Sequence, residues 1–116
     1  MLNQIVLVGR LTRDIVVNKS ENGVKVATLP LAIPRSFKNS EGTYDTDFVD
    51  CVLFDNIAEN TCEYCSKGDI VGVKGRVQSR VLENKDKKEY AMDIIAEKVT
   101  FLSSHSKENE EGTADE

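Results

Sequence analysis

The clearest alternation of apolar and polar side chains lies in the segment TDFVDCVLFD, residues Thr46–Asp55. A period of two over this length predicts a β-strand, in which successive side chains point to opposite faces. One face carries the apolar residues expected of a core, Val49, Cys51 and Leu53. The other face carries Phe48 and Phe54, about 20 Å apart along the strand. Two interpretations stay open for these rings: core packing, or an exposed platform on which flat molecules stack.

Similar patterns elsewhere predict four more strands and one helix. The strands are Gln4–Leu11, Val24–Ile33, Asp69–Leu82 and Tyr90–Leu102, and the helix is Asn56–Ser66. Asp55 or Asn56 is the expected helix cap, and Gly68 is the glycine expected just past the helix end.

Turn residues and prolines mark the connections between these elements. Ile15–Asn18 is a short extended piece, and Asn22-Gly23 signals a tight turn. Pro30 cannot donate to a ladder, so it predicts an edge or a bulge within the second strand, and Pro34 predicts the end of that strand. The remaining connections are two polar loops, Arg35–Tyr44 and Glu83–Lys88.

This order of elements is typical of one fold. We predict an all-β OB-fold: a five-stranded Greek-key barrel with the helix between strands three and four. Residues 1–102 form the domain, and we expect residues 103–116, which are polar and acidic, to form a disordered tail. Ligands of this fold typically bind on strands two and three and the adjoining loops, where Phe48 and Phe54 lie.

The charge of the chain is unevenly distributed. The net charge of the 116 residues is −5, but residues 1–102 carry 14 Lys/Arg and 15 Asp/Glu, a net of −1. The acidic excess therefore lies in the tail, and a nearly neutral body can still carry a basic face. No apolar run is long enough for a membrane span and no signal peptide is visible, so we expect a cytoplasmic protein.

Cations accompany an aromatic ring in one segment and form a stripe in another. Arg35 and Lys38 flank Phe37, an arrangement in which cations contact phosphates while the ring stacks on a base. In the strand Asp69–Leu82, the period of two places three cations on one face, with no acid of that strand among them: Lys74, Arg76 and Arg80. For Phe37 the alternative is a loop ring folded onto the protein, and for the stripe it is an ordinary solvated outer face.

The three cysteines and the one histidine offer little chemistry. An odd number of cysteines argues against a disulfide framework. Cys62 and Cys65 form a CxxC pair, which suggests redox or zinc chemistry, but the soft ligands left to complete a zinc site are only Cys51 and His105. We therefore favour structural cysteines and expect no cofactor. A single histidine in the tail does not support an acid–base site, so we do not expect an enzyme.

Residues 2–102 resemble the bacterial single-stranded DNA-binding proteins. The segments that carry the resemblance are Asn3–Asp14, Ala32–Lys38, Thr46–Glu59, Tyr64–Gly68 and Gly75–Arg80. The resemblance implies an OB-fold homotetramer that wraps single-stranded DNA in replication, recombination or repair, on the nucleoid. It implies base stacking for Phe37, Phe48 and Phe54, and we expect Arg10 and Lys67, which fall in the matching segments, to join the cations that contact phosphates.

The chain departs from the family pattern at several positions. Leu82 stands where a fourth aromatic is usual, and a leucine packs against a base without offering a π-face. Ile15 replaces a proline, Pro30 replaces a strand residue, and Lys87 replaces the hairpin glycine. The tail lacks the Gly/Pro/Gln-rich linker and the Pro-Phe tip with which family members recruit replication enzymes. We therefore do not extend that recruitment to this chain, and a short accessory, plasmid or phage-type member fits.

Two binding functions compete with this interpretation. One is an OB-fold adaptor that binds a protein through Phe48 and Phe54. The other is a dimeric primosomal relative of the same family. Competition by single-stranded DNA distinguishes the adaptor from a DNA-binding protein, and the native mass distinguishes the dimeric relative from a homotetramer.

Overall fold

A computed structural model describes residues 1–104 as a β-barrel with one helix. The elements are β1 (Ile5–Leu11), β2 (Val17–Lys19), β3 (Lys25–Lys38), β4 (Tyr44–Phe54), α1 (Asp55–Tyr64), β5 (Ile70–Asn84) and β6 (Lys87–Ser103). The expected disordered tail lies outside the described residues, apart from its first two positions. No helix among residues 1–104 is long and apolar enough to cross a membrane.

Five long strands close the barrel. The strand order is β1-β5-β6-β4-β3-β2, and pairing of β1 with β3 joins the two sides of the sheet. All neighbouring pairs are antiparallel except β4 and β6, which run parallel. Closure leaves few free strand edges, which suits an all-β domain of this size. The predicted five-stranded barrel with one helix is confirmed.

The prediction that the helix lies between strands three and four is wrong. The helix lies between the fourth and fifth strands, because the short segment Val17–Lys19 pairs with Lys25–Ala27 of β3 and is a strand of its own. The turn that connects β2 and β3 contains Gly23, whose φ of 83° is the left-handed conformation that glycine adopts at least cost.

Inward-facing leucines and valines fill the barrel. The largest fully buried side chains are Leu11, Leu29, Leu31, Cys51, Leu53, Val71 and Val73. The helix covers one end of this core with Ala58 and Thr61, while Tyr64 points to solvent and is 70% exposed. The side chain of Asn3 extends the β1–β5 sheet, since it donates to the Val77 carbonyl and accepts from the Val77 N–H.

The ends of the helix differ from the prediction. The cap position is Phe54, and no side chain caps the helix. Asp55 begins the helix with a φ of 51°, which allows the chain to turn sharply out of β4. The helix ends at Tyr64, before the extended Cys65, so Gly68 does not terminate it. Gly68 instead adopts a φ of 94° in the turn that leads into β5.

The strand predicted over Val24–Ile33, which is β3 in the structure, continues beyond its predicted end. β3 runs through Pro34 to Lys38, so Arg35–Lys38 lie in a strand, and the connection to β4 contains only residues 39–43. Pro30 lies in a gap between the ladders that β3 forms with β2 and β1. The Pro30 carbonyl accepts a hydrogen bond from the Thr12 N–H, on the side of β3 that faces away from β4. The N–H of a strand residue points to the same side as its carbonyl, so the missing N–H of Pro30 costs no hydrogen bond to β4.

Candidate nucleic-acid interface

Two phenylalanines stand on the outer face of β4. Val49 is half-buried, and Cys51 and Leu53 are fully buried on the inner face. Phe48 and Phe54 point outward and are 76% and 38% exposed, which excludes the core-packing interpretation. Exposed aromatic rings on a barrel strand are suited to stacking on unpaired bases.

Arg10 lies in the same row as Phe48. Arg10 on β1 is opposite Ala32 on β3, and Ala32 is opposite Phe48 on β4. Since adjacent strands are about 4.8 Å apart, the arginine backbone is about 10 Å from that of Phe48 across the outer surface. The Arg10 guanidinium donates from Nη1 to the Gly68 carbonyl at 2.7 Å, which holds it beside the turn before β5.

Arg10 lines two shallow cavities on this side of the barrel. The first, of about 380 Å³, is lined by Val8, Gly9, Arg10, Ala32, Pro34, Thr46 and Ile70. The second, of about 320 Å³, is lined by Arg10, Leu11, Thr12, Ala32, Lys67 and Gly68. Asp14 accepts a hydrogen bond from the Lys67 N–H at 2.7 Å and so positions that exposed lysine beside Arg10.

The cationic stripe of β5 shares the outer surface with the two rings. Strand registers place Val52 of β4, Ile95 of β6 and Arg76 of β5 in one row. β5 runs antiparallel to β4. Starting from this row, Arg80 on β5 and Phe48 on β4 therefore lie in the same direction along the surface. Leu82 continues the stripe along the β5–β6 hairpin and is 41% exposed. Lys74 precedes it, between Val6 of β1 and Lys98 of β6.

Acids of the neighbouring strand partly neutralise this stripe. Arg80 donates from Nε to Asp93 at 2.8 Å, and Arg76 lies 3.8 Å from Glu97. Both acids belong to β6, so an inspection of β5 alone finds no acid on the face. The lysines Lys38, Lys67 and Lys74 have no ion pair with a carboxylate within residues 1–104.

A large bulge shapes the outer end of the β3–β4 hairpin. Pro34 pairs with Thr46 and Lys38 pairs with Tyr44, so three residues of β3 face the single residue Asp45 of β4. Phe37 lies in this bulge and is 63% exposed. The bulge therefore presents the ring of Phe37 on the hairpin, outside the closed part of the barrel.

Arg35 is bound to acids on the other face of this hairpin. Its guanidinium donates to both carboxylate oxygens of Asp47 at 2.9–3.2 Å and lies 3.8 Å from Asp45. Asp45 and Asp47 share the strand face of Val49, opposite Phe48. The hydrogen bond from Arg35 lowers the pKa of Asp47, and the same bond raises the pKa of Arg35. The structure therefore does not bring Arg35 to the face that carries Phe48.

Tyr44 is an interface candidate that sequence reasoning misses. It is 57% exposed on the outer face of β4, and the Lys38 amino group lies 5.9 Å from its ring centroid. The available signal is the period of two, which places Tyr44 on the face of Phe48. The sequence predicts a loop at Tyr44 because Pro34 is expected to end the preceding strand.

The CxxC pair has packing roles in the structure. The Cys62 thiol donates to the Ile15 carbonyl at 3.1 Å, and Cys65 is buried, which raises its pKa. All three cysteines are free. Within residues 1–104, no group of three or more His, Cys, Asp or Glu side chains is placed to hold a metal ion.

Comparison with known proteins identifies a family. Residues 2–102 match the model of the single-strand binding protein family. Single-stranded DNA-binding protein 3 of Listeria innocua is 47% identical over 105 residues, which are 90% of this chain and 66% of the relative. Single-stranded DNA-binding protein B of Bacillus subtilis is 43% identical over 109 residues, which are 93% of this chain and 96% of the relative.

A solved structure has the same fold. A deletion mutant of the single-stranded DNA binding protein from Thermus aquaticus superposes with a TM-score of 0.74 and 25% identity, and the match covers 90% of this chain and 52% of that chain. This chain thus spans about half the length of that protein and about two thirds of the Listeria protein, but nearly all of the Bacillus subtilis protein.

Proposed function

Because this chain belongs to the single-strand binding protein family, we propose that it binds single-stranded DNA with little sequence preference and protects it during replication, recombination or repair. The observation that carries this proposal is the outer face of β4, where Phe48 and Phe54 are exposed between Arg10 on one side and Arg76 on the other. Rings stack on any unpaired base, and a duplex offers no such base without melting. The protein acts by binding and not by catalysis, in the cytoplasm on the nucleoid.

The proposed roles divide between rings and cations. Phe37, Phe48 and Phe54 stack on bases, and Leu82 supplies an apolar contact on the second hairpin. Phosphates contact the cations that surround these side chains: Arg10, Lys38, Lys67, Lys74, Arg76 and Arg80. Each contact releases counterions from the DNA, so affinity falls as salt concentration rises.

Arg76 and Arg80 contribute less to this electrostatic term than the lysines. Arg76 and Arg80 exchange Glu97 and Asp93 for a phosphate, so each new contact replaces an existing ion pair. Exposed ion pairs are worth about 0–1 kcal/mol, and the exchange is therefore possible at small cost. Arg35 contacts phosphate only after its guanidinium leaves Asp47; until then it holds the hairpin in place.

Two exposed apolar surfaces support assembly into a homotetramer. Between Ile5 and Gly9, β1 pairs with β5 on one side and has no ladder partner on the other within residues 1–104, and Val6 and Val8 beside this edge are 67% and 51% exposed. An open edge of this kind pairs readily with a second copy.

The second surface lies on the β5–β6 hairpin. Ser79 pairs with Met92 and Val81 pairs with Tyr90, which places three exposed apolar side chains on one hairpin face: Val81, Tyr90 and Met92. Two different self-complementary surfaces generate a closed tetramer, a dimer of dimers. Native mass spectrometry is expected to give four protomers for the wild type and smaller species for Val6→Lys. A dimer of the wild type would contradict this assembly.

The location of the binding surface is tested by substitution. Phe48→Ala and Phe54→Ala are each expected to weaken binding of an oligo-dT by about 1–3 kcal/mol, the value of one stacked base. Tyr64→Ala is the matched control, since Tyr64 on α1 is an exposed ring outside the proposed surface, with an exposure close to that of Phe48. Equal affinity of all three variants would place the DNA elsewhere. If oligo-dT does not bind the wild type at all, the proposed function is contradicted, and the same rings should then be tested as a protein interface.

A further inference from the structure

The aromatic row on β4 extends beyond Phe48 to Tyr44. β4 is regular from Tyr44 to Phe54, since the extra residues of the bulge belong to β3. A period of two therefore places Tyr44 on the same face as Phe48, about 13 Å farther along the strand. The row of rings lengthens from about 20 Å to about 33 Å.

No contact within residues 1–104 accounts for an aromatic residue at position 44. The side chain of Tyr44 is 57% exposed and is not part of the core cluster. Its hydroxyl has no hydrogen-bond partner among residues 1–104. Its one described contact is with Lys38, directly opposite in the ladder, whose amino group lies 5.9 Å from the ring centroid. Cation–π contacts at exposed sites are weak, so the lysine is able to leave the ring for another partner.

We propose that Tyr44 and Lys38 form an additional nucleotide subsite at the outer end of the β3–β4 hairpin. The inference rests on the proposed function, because the ligand is the next nucleotide of a single strand already bound at Phe48. The ring of Tyr44 stacks on the base, and Lys38 contacts the adjacent phosphate. A ring beside a cation supplies both parts of single-strand binding at one position.

This subsite predicts a dependence on oligonucleotide length. A short oligo-dT that spans only Phe48 and Phe54 does not reach Tyr44, whereas a longer one does. Tyr44→Ala is therefore expected to lower the affinity for the long oligonucleotide about 5-fold or more, and to leave the affinity for the short one unchanged. Tyr44→Phe keeps the stacking surface and is expected to bind both as the wild type does.

Two controls distinguish stacking at Tyr44 from a general effect of removing a surface ring. Tyr64→Ala removes an exposed ring from α1, far from the hairpin, and thermal unfolding checks that each variant folds. Photocrosslinking with an oligonucleotide that contains 5-iododeoxyuridine, followed by peptide mapping, is expected to identify Tyr44 as an attachment site.

Specific results overturn the proposal. Wild-type affinity of Tyr44→Ala for the long oligonucleotide, while Phe48→Ala binds weakly, overturns the subsite and leaves the proposed function intact. An equal loss on the short oligonucleotide also overturns it, since the substitution then acts by distorting the hairpin. Failure of the wild type to bind any single strand overturns both the subsite and the proposed function.

Discussion

The guanidinium of Arg35 donates to both carboxylate oxygens of Asp47, with nitrogen–oxygen distances of 2.9–3.2 Å. Asp47 lies on the face of the β3–β4 hairpin opposite Phe48, so this pair connects the two strands from behind the aromatic row. The bulge at Phe37 removes regular ladder pairing at this point. The ion pair thus supports the geometry of the hairpin where backbone hydrogen bonds do not.

The pairing of Asp47 predicts a measurable pH dependence. The pKa of Asp47 is lowered, chiefly by the hydrogen bond from Arg35. A lowered pKa in the folded state means that the pair stabilises the hairpin above the ordinary carboxyl pKa and ceases to do so as pH falls through the lowered value. NMR titration of the Asp47 side chain is expected to show a pKa below the ordinary value in the wild type. In Arg35→Gln the pKa should return toward that value; equal pKa values in both proteins would contradict the pairing.

The pair of Arg80 and Asp93 predicts a variant with stronger binding. Asp93→Asn removes the carboxylate that accepts from Arg80 at 2.8 Å and frees the guanidinium for phosphate. We expect higher affinity for oligo-dT at low salt, and a salt slope steeper by up to about 0.7, the value of one contact to a single strand. Glu63→Gln removes the same charge from the far end of α1 and serves as the control. Identical salt slopes for Asp93→Asn and the wild type would show that Arg80 gains no phosphate.

Gly75 predicts a strong effect of a single methyl group on stability. A Cβ at this position would lie 2.1 Å from the Ile95 carbonyl oxygen, a backbone atom held in the β5–β6 ladder. Gly75→Ala is expected to lower the free energy of unfolding by roughly 1–3 kcal/mol or more, since the backbone must move. This corresponds to a lower Tm by about 4–8 °C per kcal/mol. Gly72→Ala is the control, because its nearest contact would be an ordinary 3.7 Å; equal Tm values for the two variants would contradict the register.

The burial of Cys51 predicts an unreactive thiol. Its side chain has no exposed surface, and burial raises its pKa to about 11. The thiolate is the nucleophile, so alkylation at mildly alkaline pH requires the protein to open. Peptide mapping after treatment with iodoacetamide is expected to show modification of the half-buried Cys62 first and of Cys51 last, with all three cysteines modified in denaturant. Rapid labelling of Cys51 in the folded protein would place it outside the core.

The two faces of β4 are predictable from the sequence because the barrel has a distinct inside. Cys51 and Leu53 are fully buried and Phe48 is exposed, as a strict period of two requires once one face is packed. The alternation cannot decide by itself which apolar face is inside. That decision comes from the order of strands and from the family resemblance.

The hairpin beyond Pro34 is not predictable in the same way. A proline normally ends a strand because it cannot donate to the ladder. Here β3 continues through a bulge, since the extra residues are absorbed opposite Asp45. The sequence pattern therefore predicts a loop at Tyr44, and the position of this ring on the aromatic face is visible only from the register of β4.

The ion pairs of the outer surface depend on strand order and not on local sequence. Arg76 and Arg80 have no acid on their own strand face, but β6 supplies Glu97 and Asp93. Such distant partners are set by the register of the ladder, which alternation within one strand does not specify. The same limit applies to the start of the helix, where Phe54 is the cap position and the chain turns sharply at Asp55.

Fluorescence anisotropy of a labelled oligo-dT, with a duplex of equal length as control, tests the central claim most directly. The label is needed because the chain has no tryptophan to report binding. At low salt the protein is expected to bind the single strand tightly and the duplex weakly, and affinity for the single strand should fall as salt is raised. Equal affinity for both forms of DNA, or no binding of the single strand at low salt, would contradict a stacking surface on β4.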